Sequence, residues 1–159
     1  MPERGSAIIS KKLCQLTVGG GAVFWAATFV TSLLPIAAEY RAAYSNWSVQ
    51  TVWVASLPIG MLIGCCVSYF LLRSLQKLPA TNPIPGSVIL SSIALVIATV
   101  LIDIPRSLLQ PGPSDALHWF LIGATFNVAR FLLLGLAIGY LYTKLGDSSS
   151  LQDATARLS

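Results

Sequence analysis

The stretch Leu117–Tyr142, LHWFLIGATFNVARFLLLGLAIGYLY, decides the fold. A helix needs about 20 apolar residues to cross a hydrocarbon core of about 30 Å. This stretch exceeds that length with one formal charge, Arg130, in its interior. In a bilayer every backbone N–H and C=O must pair within the segment, so a run of this kind reads as a transmembrane helix.

Three further stretches upstream meet the same demand: Val18–Ala38 (VGGGAVFWAATFVTSLLPIAA), 49–72 and 85–104. The third is bounded by prolines, NPIP before it and IDIPR after it, and these set its limits because proline and its preceding residue disfavour helix continuation. Of the 159 residues, 55% are hydrophobic and 10% charged. Soluble domains carry about a quarter charged residues, so the ordinary soluble class is excluded. A mean hydropathy of +0.73 agrees. The expectation is an all-α integral membrane protein, a four-helix transmembrane bundle over residues 18–143. A cytoplasmic segment, 1–17, precedes it, and a disordered cytoplasmic tail, 144–159, follows. The first stretch is expected to remain a span and not a cleaved signal, whose apolar region runs to about 7–15 residues.

Orientation follows from Lys and Arg near the span ends. One side carries seven: Arg4, Lys11, Lys12, Arg73, Lys77, Lys144 and Arg157. The other carries two, Arg41 and Arg106, beside Glu39, Asp103 and Asp115. Both termini are therefore expected in the cytoplasm, with the plasma (inner) membrane as the setting. Aromatic residues fall at both edges, Tyr40, Tyr44, Trp47, Trp53 and Trp119 outside and Tyr69, Tyr140 and Tyr142 inside. The net charge of +4 comes from scattered basic residues with no run and no basic-aromatic patch, so no nucleic-acid partner is expected.

Arg130 is the residue that asks for chemistry. It lies about 18–21 Å from either end of its span, where insertion costs roughly 2.5–3.5 kcal/mol. Counted along straight helices, Asp103 and Glu39 stay near the outer edge, beyond its direct reach. Asn127 and Gly123 share its face, three and seven residues before it. The stripe Gly123–Asn127–Arg130 is a candidate ligand site for an anionic or carbonyl group. The alternative is structural, with Arg130 and Asn127 bonding neighbouring helices. Glu39, Arg41, Asp103 and Arg106 are candidate charges of an outer mouth.

Spans two and four each contain a GxxxG, Gly60/Gly64 and Gly135/Gly139, which suits close helix packing and leaves room for a homo-oligomer or a partner membrane protein. Aligning Gly64 with Gly135 also matches Tyr69 with Tyr140 and Arg73 with Lys144. Duplication of a helical hairpin and shared interface rules both account for that match. Cys65 and Cys66 read as small buried side chains and His118 as an interfacial residue. No metal-ligand set, phosphate loop or serine-type triad is present, and no cofactor is expected.

Two short segments, LIDIPR at 101–106 and ATFNVAR at 124–130, resemble those that carry the two catalytic aspartates of signal peptidase II enzymes. The resemblance implies four spans with both termini inside, and puts the first aspartate at Asp103. At the second position this chain has Arg130, which removes the carboxylate pair that the chemistry needs. The resemblance therefore implies a non-catalytic relative. The function expected from the residues is that of a non-enzymatic subunit or accessory protein packing through its GxxxG faces. The alternative is a transporter or channel for a small anionic solute, with Arg130 and Asn127 at its site.

Overall fold

A computed structural model describes residues 3–44, 48–77, 82–105 and 116–156, and all the described elements are helical. They are α1 (Glu3–Ser32), α2 (Pro35–Tyr44), α3 (Val49–Lys77), α4 (Pro83–Ala98), a π-helical turn (Thr99–Asp103) that continues α4, and α5 (Ala116–Ala156). Four segments are long and apolar enough to span a membrane: Ser10–Ser32, Val49–Leu75, Pro83–Asp103 and Leu117–Gly146. Arg106, Trp47, Asp115 and Arg157 lie outside the described residues.

The first span begins earlier than the sequence suggests and ends at Ser32 instead of Ala38. Pro35 is the cause. It has no N–H to donate and disfavours helical geometry in the residue before it. The chain breaks at Leu33 and Leu34, where i→i+3 bonds (Leu33 N to Val30 O, 3.2 Å; Leu34 N to Thr31 O, 3.3 Å) close the last turn of α1. The chain restarts as α2 with Pro35 in its first position. Arg41 of α2 then donates to the Ser32 carbonyl at 3.2 Å, serving one of the unpaired acceptors at that helix end.

The four spans form two hairpins that pack side by side. In the first, α3 lies against α1 through glycines. A Cβ at Gly64 would sit 3.3 Å from both the Gly21 nitrogen and the Thr17 carbonyl, and one at Gly60 would sit 2.9 Å from the Phe24 ring. In the second, α4 lies against α5 through serines and glycines. A Cβ at Gly135 would come within 3.0 Å of the Val88 Cα, and Ser87 Oγ donates to the Gly135 carbonyl at 2.7 Å. In lipid, helix association rests on such close backbone approach and on interhelical hydrogen bonds, because apolar side chains gain little by leaving the hydrocarbon.

Where the hairpins meet, Leu16, Phe24, Val67, Leu71, Phe131, Leu134 and Ile138 form the core. These residues lie toward the end of the bundle that carries Lys11, Lys12, Arg73 and Lys144, called the basic end below. Phe24 and Phe131 close its upper layer edge to face, ring centroids 5.7 Å apart. Beyond them, toward the other end, the buried side chains are small, Thr28, Ser32 and Ser56 beside Ala27 and Ala37. At its basic end α5 runs on to Ala156, so the tail expected to lack order is helical in its backbone. An established helix extends at the low cost of one residue per added hydrogen bond, and no proline stops it there.

Candidate functional site

In the half of the bundle away from the basic end, four side chains from three elements join in one hydrogen-bonded chain. Asn127 Nδ2 donates to Asp103 Oδ2 at 3.1 Å. Arg130 Nη1 donates to Asn127 Oδ1 at 3.3 Å, and Arg130 Nη2 donates to Thr31 Oγ1 at 3.0 Å. Thr31 in turn donates to the Ala27 carbonyl at 2.8 Å. The chain therefore runs from the π turn through α5 to α1, tying both hairpins together.

Each link has a local cause. Asn127 and Arg130 are three positions apart on α5, which puts them on neighbouring rows of one helix face. Both ends of the Asn127 amide are used, its oxygen toward the cation and its nitrogen toward the anion. Asp103 reaches this amide because of the π turn. Along α4, Ser87 and Ser91 are buried against α5, and Ala94 and Ala98 continue the packed row. The next position at α-helical spacing is Ile102, yet Ile102 is 61% exposed. The Ile104 N–H bonds back to the Thr99 carbonyl, five residues away, so this turn holds one residue more than an α-turn. The surplus rotates the following residues by about 100°, and Asp103 takes the inward place that Ile102 would have filled.

The link between Arg130 and an acid is thus indirect, through an amide that the count along straight helices did not place between them. Asp103 reaches Arg130 through Asn127, and the π turn, which straight-helix counting omits, aims it there. Tyr40 and Asp103 both lie close enough to act electrostatically on the guanidinium. Arg130 Nε is buried and has no hydrogen-bond partner.

Of the expected stripe, Asn127 and Arg130 come together, while Gly123 does not line open space. A Cβ at Gly123 would lie 2.6 Å from the Tyr40 hydroxyl, so α2 covers that position. Tyr40 also meets Phe126 edge to face and lies 6.5 Å from the Trp119 ring. Glu39 and Arg41 sit on α2, with Arg41 committed to the end of α1. Sequence reading missed Thr31 and Tyr40 as members of the site. A threonine and an interfacial tyrosine carry no distinguishing signal until the break at Pro35 folds α2 back over α5.

Next to this network, a second polar cluster joins α1 and α3. Trp53 Nε1 donates to Ser32 Oγ at 2.7 Å, and Trp25 Nε1 donates to the Trp53 carbonyl at 3.0 Å. Phe29 packs against both indoles. Pro58 lies inside α3 close to these contacts and has no N–H to donate to the Val54 carbonyl.

Both GxxxG faces, expected as surfaces for a partner, are instead covered within the chain by α1 and α4. The cysteines are free, Cys14 and Cys66 exposed and Cys65 partly buried. Among the described residues no group of His, Cys, Asp and Glu side chains is placed to hold a metal ion. No known protein family, curated protein or solved structure matches this chain.

Proposed function

We propose that this chain is a non-enzymatic, multi-pass membrane protein, a subunit or accessory component, in which the Arg130 network is an internal clamp and not a reaction centre. One observation carries the reading: both Nη groups of Arg130 are engaged by side chains of the same chain, and the path through Asn127 ends on a carboxylate. A cation and an anion joined through a neutral amide leave a site with no net charge, which lowers the cost of holding an arginine at this depth. Asp103 is bonded by Asn127, which does not supply the second carboxylate that peptidase chemistry requires. With both GxxxG faces used internally, a partner subunit or second copy docks on the outer, lipid-facing sides of the spans. The seven basic residues assigned to one side support a cytoplasmic location for both termini, with a plasma membrane as the setting.

A second reading, a binding site for a small anionic solute, draws on the buried Nε that lacks a partner and on the π turn beside the network. The two readings separate on access to water. In a chain with Cys14, Cys65 and Cys66 replaced, Thr31→Cys and Asn127→Cys are exposed to a membrane-impermeant thiol reagent from each side. The clamp predicts no labelling from either side, while a cysteine placed at Glu39 reacts. Labelling of Thr31→Cys would defeat the clamp reading and move the solute site to first place.

A further inference from the structure

At the basic end, α3 presents a lipid-facing row that the clamp does not use. Leu62, Cys66, Tyr69 and Arg73 recur at four, three and four residues, so they lie one above another on a single face. All four are exposed, Leu62 at 68% and Tyr69 at 47%, and Phe70 flanks them at 55%. Arg73 Nη1 donates to the Tyr69 hydroxyl at 3.2 Å. The hydroxyl anchors one nitrogen of the guanidinium, and the remaining donors of the planar fork have the geometry that suits two phosphate oxygens. Lys77 follows one helical turn later in the sequence.

This row joins a hydrocarbon track about 16 Å long, from Leu62 to Arg73, to an oriented cation at the level of the headgroups. We propose that it is a binding site for an anionic diacyl phospholipid of the leaflet at the basic end. The phosphodiester lies on Arg73 and one acyl chain lies along Tyr69, Phe70, Cys66 and Leu62. The matching position in the second hairpin is built differently. Lys144 Nζ sits over the Tyr140 ring, 5.5 Å from its centre. Lysine is a compact point charge without the two-pronged geometry, so the specific site belongs to the first hairpin.

The test uses the full chain with Cys14 and Cys65 replaced and a fluorophore on Cys66. The protein is reconstituted in mixtures of phosphatidylcholine and phosphatidylglycerol, with either lipid brominated along its acyl chains. The Cys66 label lies on the proposed acyl track, so quenching reports which lipid occupies it. Brominated phosphatidylglycerol is expected to be favoured by about five-fold, the ratio that one basic side chain at the membrane surface supplies. Arg73→Gln brings that ratio close to one. Tyr69→Phe keeps the charge, frees the guanidinium and gives an intermediate ratio. Lys11→Gln removes an equal charge from the same end on another helix and leaves the preference in place. Equal loss in Lys11→Gln and Arg73→Gln would mean a general surface potential and overturn the proposal. So would an unchanged preference in Arg73→Gln. Inorganic phosphate, compared with sodium chloride at equal ionic strength, should not displace the lipid; displacement would reassign the site to a soluble anion.

Discussion

Replacing Asn127 with leucine tests whether the network holds the two hairpins together. The side chain keeps a similar size while the amide is lost, so the change falls on hydrogen bonding and not on volume. Two bonds disappear, one to Asp103 and one to Arg130. Hydrogen bonds between side chains in membrane bundles average about 0.6 kcal/mol and reach about 1.7 kcal/mol, so their loss costs roughly 1–3 kcal/mol. The cost lies at the upper end, because Asp103 and Arg130 are both left with one partner fewer in a low-dielectric setting. Unfolding by titration from mild detergent into dodecyl sulfate, followed by tryptophan fluorescence, measures it. A double-mutant cycle adds a sharper criterion. Asp103→Asn and Arg130→Gln should couple by more than about 0.5 kcal/mol with Asn127 present, and by less in the Asn127→Leu background. If Asn127→Leu stays within about 0.5 kcal/mol of the parent chain, or the coupling survives without the amide, the bridge is not what joins these charges.

Further outcomes are expected from the packing. Gly64→Val places branched atoms against the Gly21 and Thr17 backbones on α1, so the folded bundle loses about 1–3 kcal/mol or fails to accumulate, whereas Gly146→Ala, where a Cβ meets nothing, is neutral or stabilising by up to about 1 kcal/mol. Ser87→Ala removes the bond to the Gly135 carbonyl and costs about 0.6 kcal/mol in the same detergent titration, while Ser91→Ala, whose hydroxyl has no partner, costs nothing or stabilises. Gly135→Leu or Gly139→Leu lowers unfolding stability without converting an oligomer to a monomer on size exclusion, because that face packs against α4 of the same chain.

The spans were legible because the bilayer makes a simple demand, enough apolar residues in a row, and residues 49–75 and 117–146 satisfy it with few charges. The glycine faces were legible as close-packing surfaces, but composition does not say whether a seam lies within a chain or between chains. Two features of the site could not be read. The break after Ser32 depends on one proline in a stretch that is otherwise apolar throughout, so counting hydropathy carries the span past it. The meeting of Asp103 with Asn127 depends on one surplus residue in a turn whose sequence, TVLID, differs in no obvious way from ordinary helix. Depth counted at a constant rise and constant rotation does not bring Asp103 to α5.

Results

Sequence analysis

The stretch Leu117–Tyr142, LHWFLIGATFNVARFLLLGLAIGYLY, decides the fold. A helix needs about 20 apolar residues to cross a hydrocarbon core of about 30 Å. This stretch exceeds that length with one formal charge, Arg130, in its interior. In a bilayer every backbone N–H and C=O must pair within the segment, so a run of this kind reads as a transmembrane helix.

Three further stretches upstream meet the same demand: Val18–Ala38 (VGGGAVFWAATFVTSLLPIAA), 49–72 and 85–104. The third is bounded by prolines, NPIP before it and IDIPR after it, and these set its limits because proline and its preceding residue disfavour helix continuation. Of the 159 residues, 55% are hydrophobic and 10% charged. Soluble domains carry about a quarter charged residues, so the ordinary soluble class is excluded. A mean hydropathy of +0.73 agrees. The expectation is an all-α integral membrane protein, a four-helix transmembrane bundle over residues 18–143. A cytoplasmic segment, 1–17, precedes it, and a disordered cytoplasmic tail, 144–159, follows. The first stretch is expected to remain a span and not a cleaved signal, whose apolar region runs to about 7–15 residues.

Orientation follows from Lys and Arg near the span ends. One side carries seven: Arg4, Lys11, Lys12, Arg73, Lys77, Lys144 and Arg157. The other carries two, Arg41 and Arg106, beside Glu39, Asp103 and Asp115. Both termini are therefore expected in the cytoplasm, with the plasma (inner) membrane as the setting. Aromatic residues fall at both edges, Tyr40, Tyr44, Trp47, Trp53 and Trp119 outside and Tyr69, Tyr140 and Tyr142 inside. The net charge of +4 comes from scattered basic residues with no run and no basic-aromatic patch, so no nucleic-acid partner is expected.

Arg130 is the residue that asks for chemistry. It lies about 18–21 Å from either end of its span, where insertion costs roughly 2.5–3.5 kcal/mol. Counted along straight helices, Asp103 and Glu39 stay near the outer edge, beyond its direct reach. Asn127 and Gly123 share its face, three and seven residues before it. The stripe Gly123–Asn127–Arg130 is a candidate ligand site for an anionic or carbonyl group. The alternative is structural, with Arg130 and Asn127 bonding neighbouring helices. Glu39, Arg41, Asp103 and Arg106 are candidate charges of an outer mouth.

Spans two and four each contain a GxxxG, Gly60/Gly64 and Gly135/Gly139, which suits close helix packing and leaves room for a homo-oligomer or a partner membrane protein. Aligning Gly64 with Gly135 also matches Tyr69 with Tyr140 and Arg73 with Lys144. Duplication of a helical hairpin and shared interface rules both account for that match. Cys65 and Cys66 read as small buried side chains and His118 as an interfacial residue. No metal-ligand set, phosphate loop or serine-type triad is present, and no cofactor is expected.

Two short segments, LIDIPR at 101–106 and ATFNVAR at 124–130, resemble those that carry the two catalytic aspartates of signal peptidase II enzymes. The resemblance implies four spans with both termini inside, and puts the first aspartate at Asp103. At the second position this chain has Arg130, which removes the carboxylate pair that the chemistry needs. The resemblance therefore implies a non-catalytic relative. The function expected from the residues is that of a non-enzymatic subunit or accessory protein packing through its GxxxG faces. The alternative is a transporter or channel for a small anionic solute, with Arg130 and Asn127 at its site.

Overall fold

A computed structural model describes residues 3–44, 48–77, 82–105 and 116–156, and all the described elements are helical. They are α1 (Glu3–Ser32), α2 (Pro35–Tyr44), α3 (Val49–Lys77), α4 (Pro83–Ala98), a π-helical turn (Thr99–Asp103) that continues α4, and α5 (Ala116–Ala156). Four segments are long and apolar enough to span a membrane: Ser10–Ser32, Val49–Leu75, Pro83–Asp103 and Leu117–Gly146. Arg106, Trp47, Asp115 and Arg157 lie outside the described residues.

The first span begins earlier than the sequence suggests and ends at Ser32 instead of Ala38. Pro35 is the cause. It has no N–H to donate and disfavours helical geometry in the residue before it. The chain breaks at Leu33 and Leu34, where i→i+3 bonds (Leu33 N to Val30 O, 3.2 Å; Leu34 N to Thr31 O, 3.3 Å) close the last turn of α1. It restarts as α2 with Pro35 in the first position. Arg41 of α2 then donates to the Ser32 carbonyl at 3.2 Å, serving one of the unpaired acceptors at that helix end.

The four spans form two hairpins that pack side by side. In the first, α3 lies against α1 through glycines. A Cβ at Gly64 would sit 3.3 Å from both the Gly21 nitrogen and the Thr17 carbonyl, and one at Gly60 would sit 2.9 Å from the Phe24 ring. In the second, α4 lies against α5 through serines and glycines. A Cβ at Gly135 would come within 3.0 Å of the Val88 Cα, and Ser87 Oγ donates to the Gly135 carbonyl at 2.7 Å. In lipid, helix association rests on such close backbone approach and on interhelical hydrogen bonds, because apolar side chains gain little by leaving the hydrocarbon.

Where the hairpins meet, Leu16, Phe24, Val67, Leu71, Phe131, Leu134 and Ile138 form the core. These residues lie toward the end of the bundle that carries Lys11, Lys12, Arg73 and Lys144, called the basic end below. Phe24 and Phe131 close its upper layer edge to face, ring centroids 5.7 Å apart. Beyond them, toward the other end, the buried side chains are small, Thr28, Ser32 and Ser56 beside Ala27 and Ala37. At the basic end α5 runs on to Ala156, so the tail expected to lack order is helical in its backbone. An established helix extends at the low cost of fixing one residue per added hydrogen bond, and no proline stops it there.

Candidate functional site

In the half of the bundle away from the basic end, four side chains from three elements join in one hydrogen-bonded chain. Asn127 Nδ2 donates to Asp103 Oδ2 at 3.1 Å. Arg130 Nη1 donates to Asn127 Oδ1 at 3.3 Å, and Arg130 Nη2 donates to Thr31 Oγ1 at 3.0 Å. Thr31 in turn donates to the Ala27 carbonyl at 2.8 Å. The chain therefore runs from the π turn through α5 to α1, tying both hairpins together.

Each link has a local cause. Asn127 and Arg130 are three positions apart on α5, which makes them neighbours on the helix surface. Both ends of the Asn127 amide are used, its oxygen toward the cation and its nitrogen toward the anion. Asp103 reaches this amide because of the π turn. Along α4, Ser87 and Ser91 are buried against α5, and Ala94 and Ala98 continue the packed row. The next position at α-helical spacing is Ile102, yet Ile102 is 61% exposed. The Ile104 N–H bonds back to the Thr99 carbonyl, five residues away, so this turn holds one residue more than an α-turn. One residue corresponds to about 100° of rotation, and Asp103 takes the inward place that Ile102 would have filled.

The link between Arg130 and an acid is thus indirect, through an amide that the count along straight helices did not place between them. Asp103 reaches Arg130 through Asn127, and the π turn, which straight-helix counting omits, aims it there. Tyr40 and Asp103 both lie close enough to act electrostatically on the guanidinium. Arg130 Nε is buried and has no hydrogen-bond partner.

Of the expected stripe, Asn127 and Arg130 come together, while Gly123 does not line open space. A Cβ at Gly123 would lie 2.6 Å from the Tyr40 hydroxyl, so α2 covers that position. Tyr40 also meets Phe126 edge to face and lies 6.5 Å from the Trp119 ring. Glu39 and Arg41 sit on α2, with Arg41 committed to the end of α1. Sequence reading missed Thr31 and Tyr40 as members of the site. A threonine and an interfacial tyrosine carry no distinguishing signal until the break at Pro35 brings α2 over α5.

Next to this network, a second polar cluster joins α1 and α3. Trp53 Nε1 donates to Ser32 Oγ at 2.7 Å, and Trp25 Nε1 donates to the Trp53 carbonyl at 3.0 Å. Phe29 packs against both indoles. Pro58 lies inside α3 close to these contacts and has no N–H to donate to the Val54 carbonyl.

Both GxxxG faces, expected as surfaces for a partner, are instead covered within the chain by α1 and α4. The cysteines are free, Cys14 and Cys66 exposed and Cys65 partly buried. Among the described residues no group of His, Cys, Asp and Glu side chains is placed to hold a metal ion. No known protein family, curated protein or solved structure matches this chain.

Proposed function

We propose that this chain is a non-enzymatic, multi-pass membrane protein, a subunit or accessory component, in which the Arg130 network is an internal clamp and not a reaction centre. One observation carries the reading: both Nη groups of Arg130 are engaged by side chains of the same chain, and the path through Asn127 ends on a carboxylate. A cation and an anion joined through a neutral amide leave a site with no net charge, which lowers the cost of holding an arginine at this depth. Asp103 is bonded by Asn127, which does not supply the second carboxylate that peptidase chemistry requires. With both GxxxG faces used internally, a partner subunit or second copy docks on the outer, lipid-facing sides of the spans. The seven basic residues assigned to one side support a cytoplasmic location for both termini, with a plasma membrane as the setting.

A second reading, a binding site for a small anionic solute, draws on the buried Nε that lacks a partner and on the π turn beside the network. The two readings separate on access to water. In a chain with Cys14, Cys65 and Cys66 replaced, Thr31→Cys and Asn127→Cys are exposed to a membrane-impermeant thiol reagent from each side. The clamp predicts no labelling from either side, while a cysteine placed at Glu39 reacts. Labelling of Thr31→Cys would defeat the clamp reading and move the solute site to first place.

A further inference from the structure

At the basic end, α3 presents a lipid-facing row that the clamp does not use. Leu62, Cys66, Tyr69 and Arg73 recur at intervals of four, three and four residues, so they lie one above another on a single face. All four are exposed, Leu62 at 68% and Tyr69 at 47%, and Phe70 flanks them at 55%. Arg73 Nη1 donates to the Tyr69 hydroxyl at 3.2 Å. The hydroxyl anchors one nitrogen of the guanidinium, and the planar fork has the geometry that suits two phosphate oxygens. Lys77 follows one helical turn later in the sequence.

This row joins a hydrocarbon track about 16 Å long, from Leu62 to Arg73, to an oriented cation at the level of the headgroups. We propose that it is a binding site for an anionic diacyl phospholipid of the leaflet at the basic end. The phosphodiester lies on Arg73 and one acyl chain lies along Tyr69, Phe70, Cys66 and Leu62. The matching position in the second hairpin is built differently. Lys144 Nζ sits over the Tyr140 ring, 5.5 Å from its centre. Lysine is a compact point charge without the two-pronged geometry, so the specific site belongs to the first hairpin.

The test uses the full chain with Cys14 and Cys65 replaced and a fluorophore on Cys66. The protein is reconstituted in mixtures of phosphatidylcholine and phosphatidylglycerol, with either lipid brominated along its acyl chains. The Cys66 label lies on the proposed acyl track, so quenching reports which lipid occupies it. Brominated phosphatidylglycerol is expected to be favoured by about five-fold, the ratio that one basic side chain at the membrane surface supplies. Arg73→Gln brings that ratio close to one. Tyr69→Phe keeps the charge, frees the guanidinium and gives an intermediate ratio. Lys11→Gln removes an equal charge from the same end on another helix and leaves the preference in place. Equal loss in Lys11→Gln and Arg73→Gln would mean a general surface potential and overturn the proposal. So would an unchanged preference in Arg73→Gln. Inorganic phosphate, compared with sodium chloride at equal ionic strength, should not displace the lipid; displacement would reassign the site to a soluble anion.

Discussion

Replacing Asn127 with leucine tests whether the network holds the two hairpins together. The side chain keeps a similar size while the amide is lost, so the change falls on hydrogen bonding more than on volume. Two bonds disappear, one to Asp103 and one to Arg130. Hydrogen bonds between side chains in membrane bundles average about 0.6 kcal/mol and reach about 1.7 kcal/mol, so their loss costs roughly 1–3 kcal/mol. The cost lies at the upper end, because Asp103 and Arg130 are each left with one partner fewer in a low-dielectric setting. Unfolding by titration from mild detergent into dodecyl sulfate, followed by tryptophan fluorescence, measures it. A double-mutant cycle adds a sharper criterion. Asp103→Asn and Arg130→Gln should couple by more than about 0.5 kcal/mol with Asn127 present, and by less in the Asn127→Leu background. If Asn127→Leu stays within about 0.5 kcal/mol of the parent chain, or the coupling survives without the amide, the bridge is not what joins these charges.

Further outcomes are expected from the packing. Gly64→Val places branched atoms against the Gly21 and Thr17 backbones on α1, so the folded bundle loses about 1–3 kcal/mol or fails to accumulate. Gly146→Ala, where a Cβ meets nothing, is neutral or stabilising by up to about 1 kcal/mol in the same detergent titration. Ser87→Ala removes the bond to the Gly135 carbonyl and costs about 0.6 kcal/mol, while Ser91→Ala, whose hydroxyl has no partner, costs nothing or stabilises. Gly135→Leu or Gly139→Leu lowers unfolding stability without converting an oligomer to a monomer on size exclusion, because that face packs against α4 of the same chain.

The spans are legible in the sequence because the bilayer makes a simple demand, enough apolar residues in a row, and Val49–Leu75 and Leu117–Gly146 satisfy it with few charges. The glycine faces are legible as close-packing surfaces, but composition does not say whether a seam lies within a chain or between chains. Two features of the site are not legible. The break after Ser32 depends on one proline in a stretch that is otherwise apolar, so counting hydropathy carries the span past it. The meeting of Asp103 with Asn127 depends on one surplus residue in a turn whose sequence, TVLID, does not stand out from ordinary helix. Depth counted at a constant rise and constant rotation does not bring Asp103 to α5.

The same turn makes the site tolerant of a change in chain length. From Ala98 to Asp103 the π turn spends five steps to bring a side chain back to the packed face, where an α-helix spends four. A chain lacking any one residue from Thr99 to Ile102 would present its aspartate to Asn127 through ordinary helix, with no π turn at all. The turn thus has the form of a one-residue insertion absorbed on the spot, with the helix below it undisturbed and the carboxylate above it kept in place.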